Sequence, residues 1–204
     1  PWAHVMASPL GHGAIVANDG EMYAFSGNAQ QNGLTPFGHD SVPSQLPAQL
    51  VYVVDLATGE MDTPTFIPYR RTDARHEVEF GRGYARFRKS RGALELDLTV
   101  YVVPERPAEL KLLRIRNRGP EARRFRVVSY AQIALAELPI DTRWTGIDCR
   151  ADPADAALYF ASHGQPYRRG WAYAAFSLPC EAHATIRSQF VGGDWRVVGV
   201  KPRL

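Results

Sequence analysis

The densest run of hydrogen-bonding side chains lies between Asn28 and Asn32. It contains Asn28, Gln30, Gln31 and Asn32, and Thr35 and Phe37 follow closely. Each primary amide offers two N–H donors and one carbonyl acceptor in a single plane. Neighbouring sugar hydroxyls require that combination, and Phe37 would add an apolar face. Asn28 and Asn32 can equally bond to the backbone of their own loop, as short polar side chains do in turns. Residue types alone leave both uses open.

Other reactive residue types form no catalytic pattern. The six histidines (His4, His12, His39, His76, His163 and His183) have no metal-ligand spacing. The pairs Glu77/Glu79 and Glu95/Asp97 sit at strand spacing, share a face and point to solvent, which makes a poor acid/base couple. No nucleophile elbow, phosphate loop, dinucleotide fingerprint or zinc motif is present. The reading is therefore no catalytic residue, no metal and no cofactor. Arg114, Arg116, Arg124 and Arg126 could line one sheet face as a basic stripe, offset by Glu95 and Asp97. With 24 basic and 21 acidic residues the net charge is only +3, which argues against a nucleic-acid surface. Cys149 and Cys180 lack a C-x-x-C spacing and read as two buried, reduced thiols of a cytosolic protein.

The elements that must hold these residues are strands. From Ala93 to Val103, Leu94, Leu96, Leu98, Val100 and Val102 take one parity, and Glu95, Asp97, Thr99 and Tyr101 the other. Strict alternation means a strand with one buried and one wet face, and Pro104 stops it. Strands are expected on either side: His76–Phe80, with Val78 and Phe80 inward; Tyr84–Lys89; Leu110–Asn117; and Arg124–Ala134 as the next of a meander. Upstream, Ala14–Ala17 and Met22–Phe25 form a hairpin around Asp19-Gly20, after an extended lead over Pro1–Ala7. Gln49–Asp55 is a strand, and Thr63–Tyr69, with Pro64 and Pro68, is extended or an edge. Leu138–Asp155 reads as irregular, with Ala154–Ala157 as a helical turn. Leu158–Ser162, Trp171–Leu178 and Thr185–Val191 complete the strands. The pattern predicts an all-β, antiparallel β-sandwich over 1–191, with 192–204 as an unassigned tail. No apolar run approaches the ~20 residues of a membrane helix. The opening Pro1-Trp2-Ala3-His4 does not read as a signal peptide, but as a chain entered in its middle.

Two blocks carry a family resemblance. Asn28-Ala29-Gln30-Gln31-Asn32-Gly33-Leu34-Thr35-Pro36-Phe37 resembles the motif Asn-Ser-Arg-x-Asn-Arg-(Leu/Ile)-Thr-Pro-Trp of the inverting β-glucan phosphorylases, glycoside hydrolase family 94. Phe80–Phe87, Leu98–Val102 and Leu113–Asn117 are similar to later strands of that family, and Pro1-Trp2 with Val5 to its opening. The similarity runs to about residue 191 and leans towards the carboxy-terminal part of cyclic β-1,2-glucan synthase. Gln30 and Gly33 stand where the motif has arginines, Phe37 where it has tryptophan, and His39 where it has asparagine. The resemblance implies the amino-terminal supersandwich of that family, galactose mutarotase-like in fold. It further implies a non-catalytic module whose (α/α)6 catalytic barrel follows elsewhere. On that reading the partners are the barrel, weakly held β-glucan through Asn28, Gln30, Gln31, Asn32, Thr35 and Phe37, and, left open, a second copy. Its place would be the cytoplasm or the cytoplasmic face of an inner-membrane protein. A free-standing carbohydrate-binding protein and a structural fragment without ligand are the alternatives.

Overall fold

The computed structural model describes residues 2–30, 32–36, 47–135, 146–163 and 170–185. Among these, every regular element is a strand and every pairing is antiparallel. The strands are β1 (Ala3–Ala7), β2 (His12–Ala17), β3 (Met22–Ser26), β4 (Gln49–Asp55), β5 (Met61–Asp62), β6 (Arg75–Gly81) and β7 (Tyr84–Arg91). They continue with β8 (Leu94–Val102), β9 (Glu109–Asn117), β10 (Phe125–Ala131), β11 (Ile147–Asp152), β12 (Ala157–Ser162) and β13 (Ala172–Ala175).

Alternation in β8 becomes burial. Leu96, Leu98, Val100 and Val102 are buried, while Glu95, Asp97, Thr99 and Tyr101 between them are half-exposed. β8 is an inner strand of the sheet β6-β7-β8-β9. Its inner face packs with Ala85 and Phe87 of β7 against Met6, Ala14, Val16, Met22 and Val51. Each fully buried side chain of this kind contributes roughly 1.5–3 kcal/mol. The opposing layer is the sheet β1-β2-β3 together with one face of β4. The hairpin at Asp19-Gly20 forms as read, and the opening lead is itself a strand, β1, paired with β2.

β4 is buried along its whole length. Val51 faces the first core, while Leu50, Tyr52 and Val54 face a second one with Met61 and Tyr130. Tyr69 packs edge-on against Tyr52 at 6.3 Å. Burial pushes the Tyr69 phenol up to about 12.

Several expectations are corrected. β10 does not extend the meander; it returns to pair with β4, from Phe125 opposite Asp55 to Ala131 opposite Gln49. That places Val128 and Tyr130 in the second core and leaves Val127 exposed. The four arginines therefore do not share a stripe, since Arg114 and Arg116 lie on β9 and Arg126 on β10. Thr63–Tyr69 is a folded turn rather than an edge, because the hydroxyls of Thr63 and Thr65 donate to the carbonyls of Thr65 and Ile67, each two residues ahead. Val78 and Phe80 have the inward parity, opposite Phe87 and Ala85, yet are 40% and 36% exposed because β6 is an edge strand. The stretch read as irregular contains β11, and 153–156 is a reverse turn to β12, closed by Ala156 N–H donating to Pro153 O and ending with Ala156 at φ 48°, not a helical turn. Trp171–Leu178 is strand only over Ala172–Ala175. Both thiols are free, but Cys149 is half-buried and Cys180 exposed. The expected strand Thr185–Val191, after Thr185, and the tail lie outside the described residues.

Candidate functional site

The amide-rich loop leaves the end of β3 and its return limb folds back along the edge of that strand, Gly33 bridging Phe25 in antiparallel sense. Asn28 N–H donates to Ser26 O (2.9 Å), Asn32 N–H to Asn28 O (2.9 Å), and Ser26 N–H to Asn32 O (3.0 Å). Two side chains reinforce this turn. Asn28 Oδ1 accepts from Gln30 N–H at 2.8 Å, and Asn32 Nδ2 donates to Ser26 O at 2.6 Å. These are local bonds of the kind Asn makes in turns. Thr35 is buried, its Oγ1 accepting from Ala24 N–H at 3.0 Å.

Aromatic packing holds the loop base. Tyr23 and Phe25 stack at 5.9 Å, and the Tyr23 hydroxyl donates to Ala29 O. Gly13 is required beneath them: a Cβ there would lie 2.1 Å from the Phe25 ring. Leu34 N–H donates to Ala24 O (2.8 Å), and Leu34 O accepts from Ala134 N–H (2.9 Å), tying the return limb down on both sides.

Asn28, Gln30 and Asn32 are thus brought into one turn, with Asn28 and Gln30 exposed and Asn32 half-buried. The Gln30 amide and the Nδ2 donors of Asn28 face solvent on a backbone fixed by hydrogen bonds. Asn32 and Thr35 serve the loop's own architecture. Gln31, Phe37 and His39 lie outside the described residues.

On the outer face of the four-stranded sheet, the acidic pairs are neutralised in register. Glu77, Arg88, Asp97 and Arg114 lie opposite one another across β6 to β9. Arg86 holds Asp97 through Nε at 2.9 Å, Arg88 holds Glu79 at 2.7 Å, and Arg118 holds Glu95 at 3.0 Å. The Arg86 guanidinium keeps the Asp97 carboxyl below its ordinary range. A carboxylate clamped in this way has no proton to give near neutral pH.

Two buried polar clusters escaped the sequence reading. Lys89 is 1% exposed and forms an ion pair with Asp62, itself buried, and donates to Thr63 O at 3.2 Å. The signal existed, since Lys89 shares the parity of Ala85 and Phe87. In the second cluster His12 and Gln49 are buried, Lys111 binds both Gln49 and Glu109, and His12 Nε2 and Glu109 Oε2 lack hydrogen-bond partners. Burial lowers the His12 pKa, Glu109 opposes that shift and Lys111 adds to it. No periodicity could have announced this cluster, because its members come from three separate strands.

Antiparallel layers around two cores, with a loop folded back along the edge of β3, define a β-sandwich module of the supersandwich kind. The chain belongs to the glycosyl hydrolase 94 supersandwich domain family, whose model matches residues 1–198. It is 35% identical over 135 residues to cyclic beta-(1,2)-glucan synthase NdvB of Rhizobium meliloti, covering 66% of this chain and 5% of that protein. It is 26% identical over 144 residues to solabiose phosphorylase of Paenibacillus borealis, covering 69% of this chain and 19% of that protein. The chain thus spans about a twentieth and about a fifth of these two relatives.

Proposed function

We propose that this chain is a non-catalytic supersandwich module of a larger glucan synthase or phosphorylase, and that it scaffolds a catalytic barrel while touching β-glucan through the loop at 28–37. The observation that supports a contact role is the loop itself. Its base is pinned by Tyr23, Phe25 and Thr35, yet it keeps the Asn28 and Gln30 amides exposed. A preorganised polar edge loses little entropy on binding. That the match spans only 5% and 19% of the two relatives supports reading the chain as a module of a longer protein. The ion-paired carboxylates of β6 to β8 offer no acid/base couple to set against this reading. Residence in the cytoplasm, or at the cytoplasmic face of an inner membrane, and pairing with a second copy belong to the same proposal.

Binding by an open loop should be weak, because an exposed edge buries little of a sugar. Chemical-shift mapping of the labelled 204-residue chain with a β-1,2-gluco-oligosaccharide tests it. Perturbations centred on Asn28 and Gln30, with no release of glucose 1-phosphate from glucan plus phosphate, are expected. Perturbations confined to another face, or none at millimolar sugar, remove the loop from the function. Phosphorolysis by the purified chain would refute the non-catalytic reading.

A further inference from the structure

A cavity of about 300 Å³ opens beside the turn of the first hairpin, between that turn, the 63–69 turn and β6. Asn18, Asp19, Phe66, His76, Val78 and Phe87 are among the residues that line it. Its volume is at the lower end of the ~300–1,000 Å³ of small-molecule sites.

The walls are fixed before any ligand arrives. Ile67 N–H donates to Asp19 O at 3.0 Å, joining the 63–69 turn to the hairpin turn. Gly20 lies so close to Thr65 that a Cβ there would meet its side chain at 2.3 Å. Phe66 meets the His76 ring edge-on at 5.3 Å, and His76 Nε2–H donates to Arg71 O at 3.2 Å. Phe87, 1% exposed, forms the floor.

What remains unused is a mixed set of donors and acceptors beside an aromatic ring. Asn18 Oδ1 accepts from Trp2 N–H, which leaves its Nδ2 donors. Asp19 Oδ1 accepts from Glu21 N–H, which leaves Oδ2 as a charged acceptor. With Nε2 donating, neutral His76 keeps Nδ1 as an acceptor, and burial, with Lys89 nearby, holds its pKa below the ordinary value. Glu77 is taken up outside by Arg75 and Arg88. One carboxylate oxygen next to an amide suits a vicinal diol, and Phe66 with Pro64 suits the C–H face of a ring. We propose that this cavity is a binding site for one neutral pyranose ring, such as a terminal glucosyl unit, separate from the loop. The assignment of a glucosyl unit rests on the glucan reading above; the cavity chemistry alone carries the polyol.

The test titrates the labelled 204-residue chain with glucose and with β-1,2-linked glucobiose, reading amide shifts. Millimolar saturation at Asn18, Asp19, His76 and Val78 is expected. Asp19→Asn keeps the turn bond through its remaining carbonyl but removes the charged acceptor, and should weaken binding about tenfold. Val78→Trp, on an exposed edge position, should block the cavity. Gln30→Ala should leave these shifts unchanged. If shifts appear only in the loop and vanish in Gln30→Ala, the cavity proposal falls while the loop reading stands. If both sets are absent at millimolar sugar, both fall. If Val78→Trp does not fold, Asp19→Asn decides, and unchanged affinity there overturns the proposal.

Discussion

Replacing Lys89 by methionine isolates the buried ion pair. Methionine keeps most of the apolar stem but deletes the ammonium. Asp62 is then left 3% exposed, with its Oδ2 already lacking a hydrogen-bond partner. Breaking one side of a buried pair costs about 3–5 kcal/mol, since the other charge stays desolvated. Here Arg71 and Arg91 stand at 3.6 and 3.8 Å from Asp62 and soften that cost. The expectation is therefore about 3 kcal/mol, near the low end. For a chain of this size that is a fall in Tm of ~6–12 °C. Adding Asp62→Leu should recover part of the loss but not all, because Thr63 N–H loses its 2.8 Å acceptor. Urea titration of both variants reads the energies, and thermal melts the Tm. A Lys89→Met cost below about 1 kcal/mol would mean that water reaches the ammonium, and would refute the buried-pair argument.

Leu96→Ala should cost roughly 2–5 kcal/mol by denaturant titration, the range for a buried leucine, and Leu96→Asp should not fold. An unchanged melt for Leu96→Asp would place β8 out of register by one residue. Acidification should destabilise the fold from about pH 6.5 downwards. Burial lowers the pKa of His12 and of His76 when folded, so the unfolded chain takes up protons first as pH falls. That loss levels off below the folded pKa values. Glu21, raised by burial, acts in the opposite sense at lower pH. A Tm that is flat between pH 7.5 and 5.5 contradicts this assignment.

Local pattern settled the strands and turns of the four-stranded sheet. In β7, β8 and β9 the parity of each residue is visible within a few positions, with a glycine turn at Gly92 between the first two and a proline-bearing turn at Pro104 and Pro107 between the last two. The same pattern gave the first hairpin, and the block from Asn28 to Phe37 gave the family. What parity does not contain is the identity of the layer that covers a face. Val78 and Phe80 alternate correctly and still lie at an uncovered edge, whereas Lys89 alternates correctly and is sealed in. A strand's period also says nothing about its partner: β10 passes over its neighbour β9 to pair with β4. Its nearest pair, Phe125 and Asp55, is 70 positions apart, and Arg123 Nε holds Asp55 at 2.8 Å across 68 positions. The loop amides show the same division. Their types allow sugar contacts or self-bonding alike, and the fold assigned Asn32 and Thr35 to the backbone while leaving Asn28 Nδ2 and Gln30 in solvent. Those choices depend on which donors and acceptors the packed sheets bring within 3 Å, a distance that sequence neighbours do not fix.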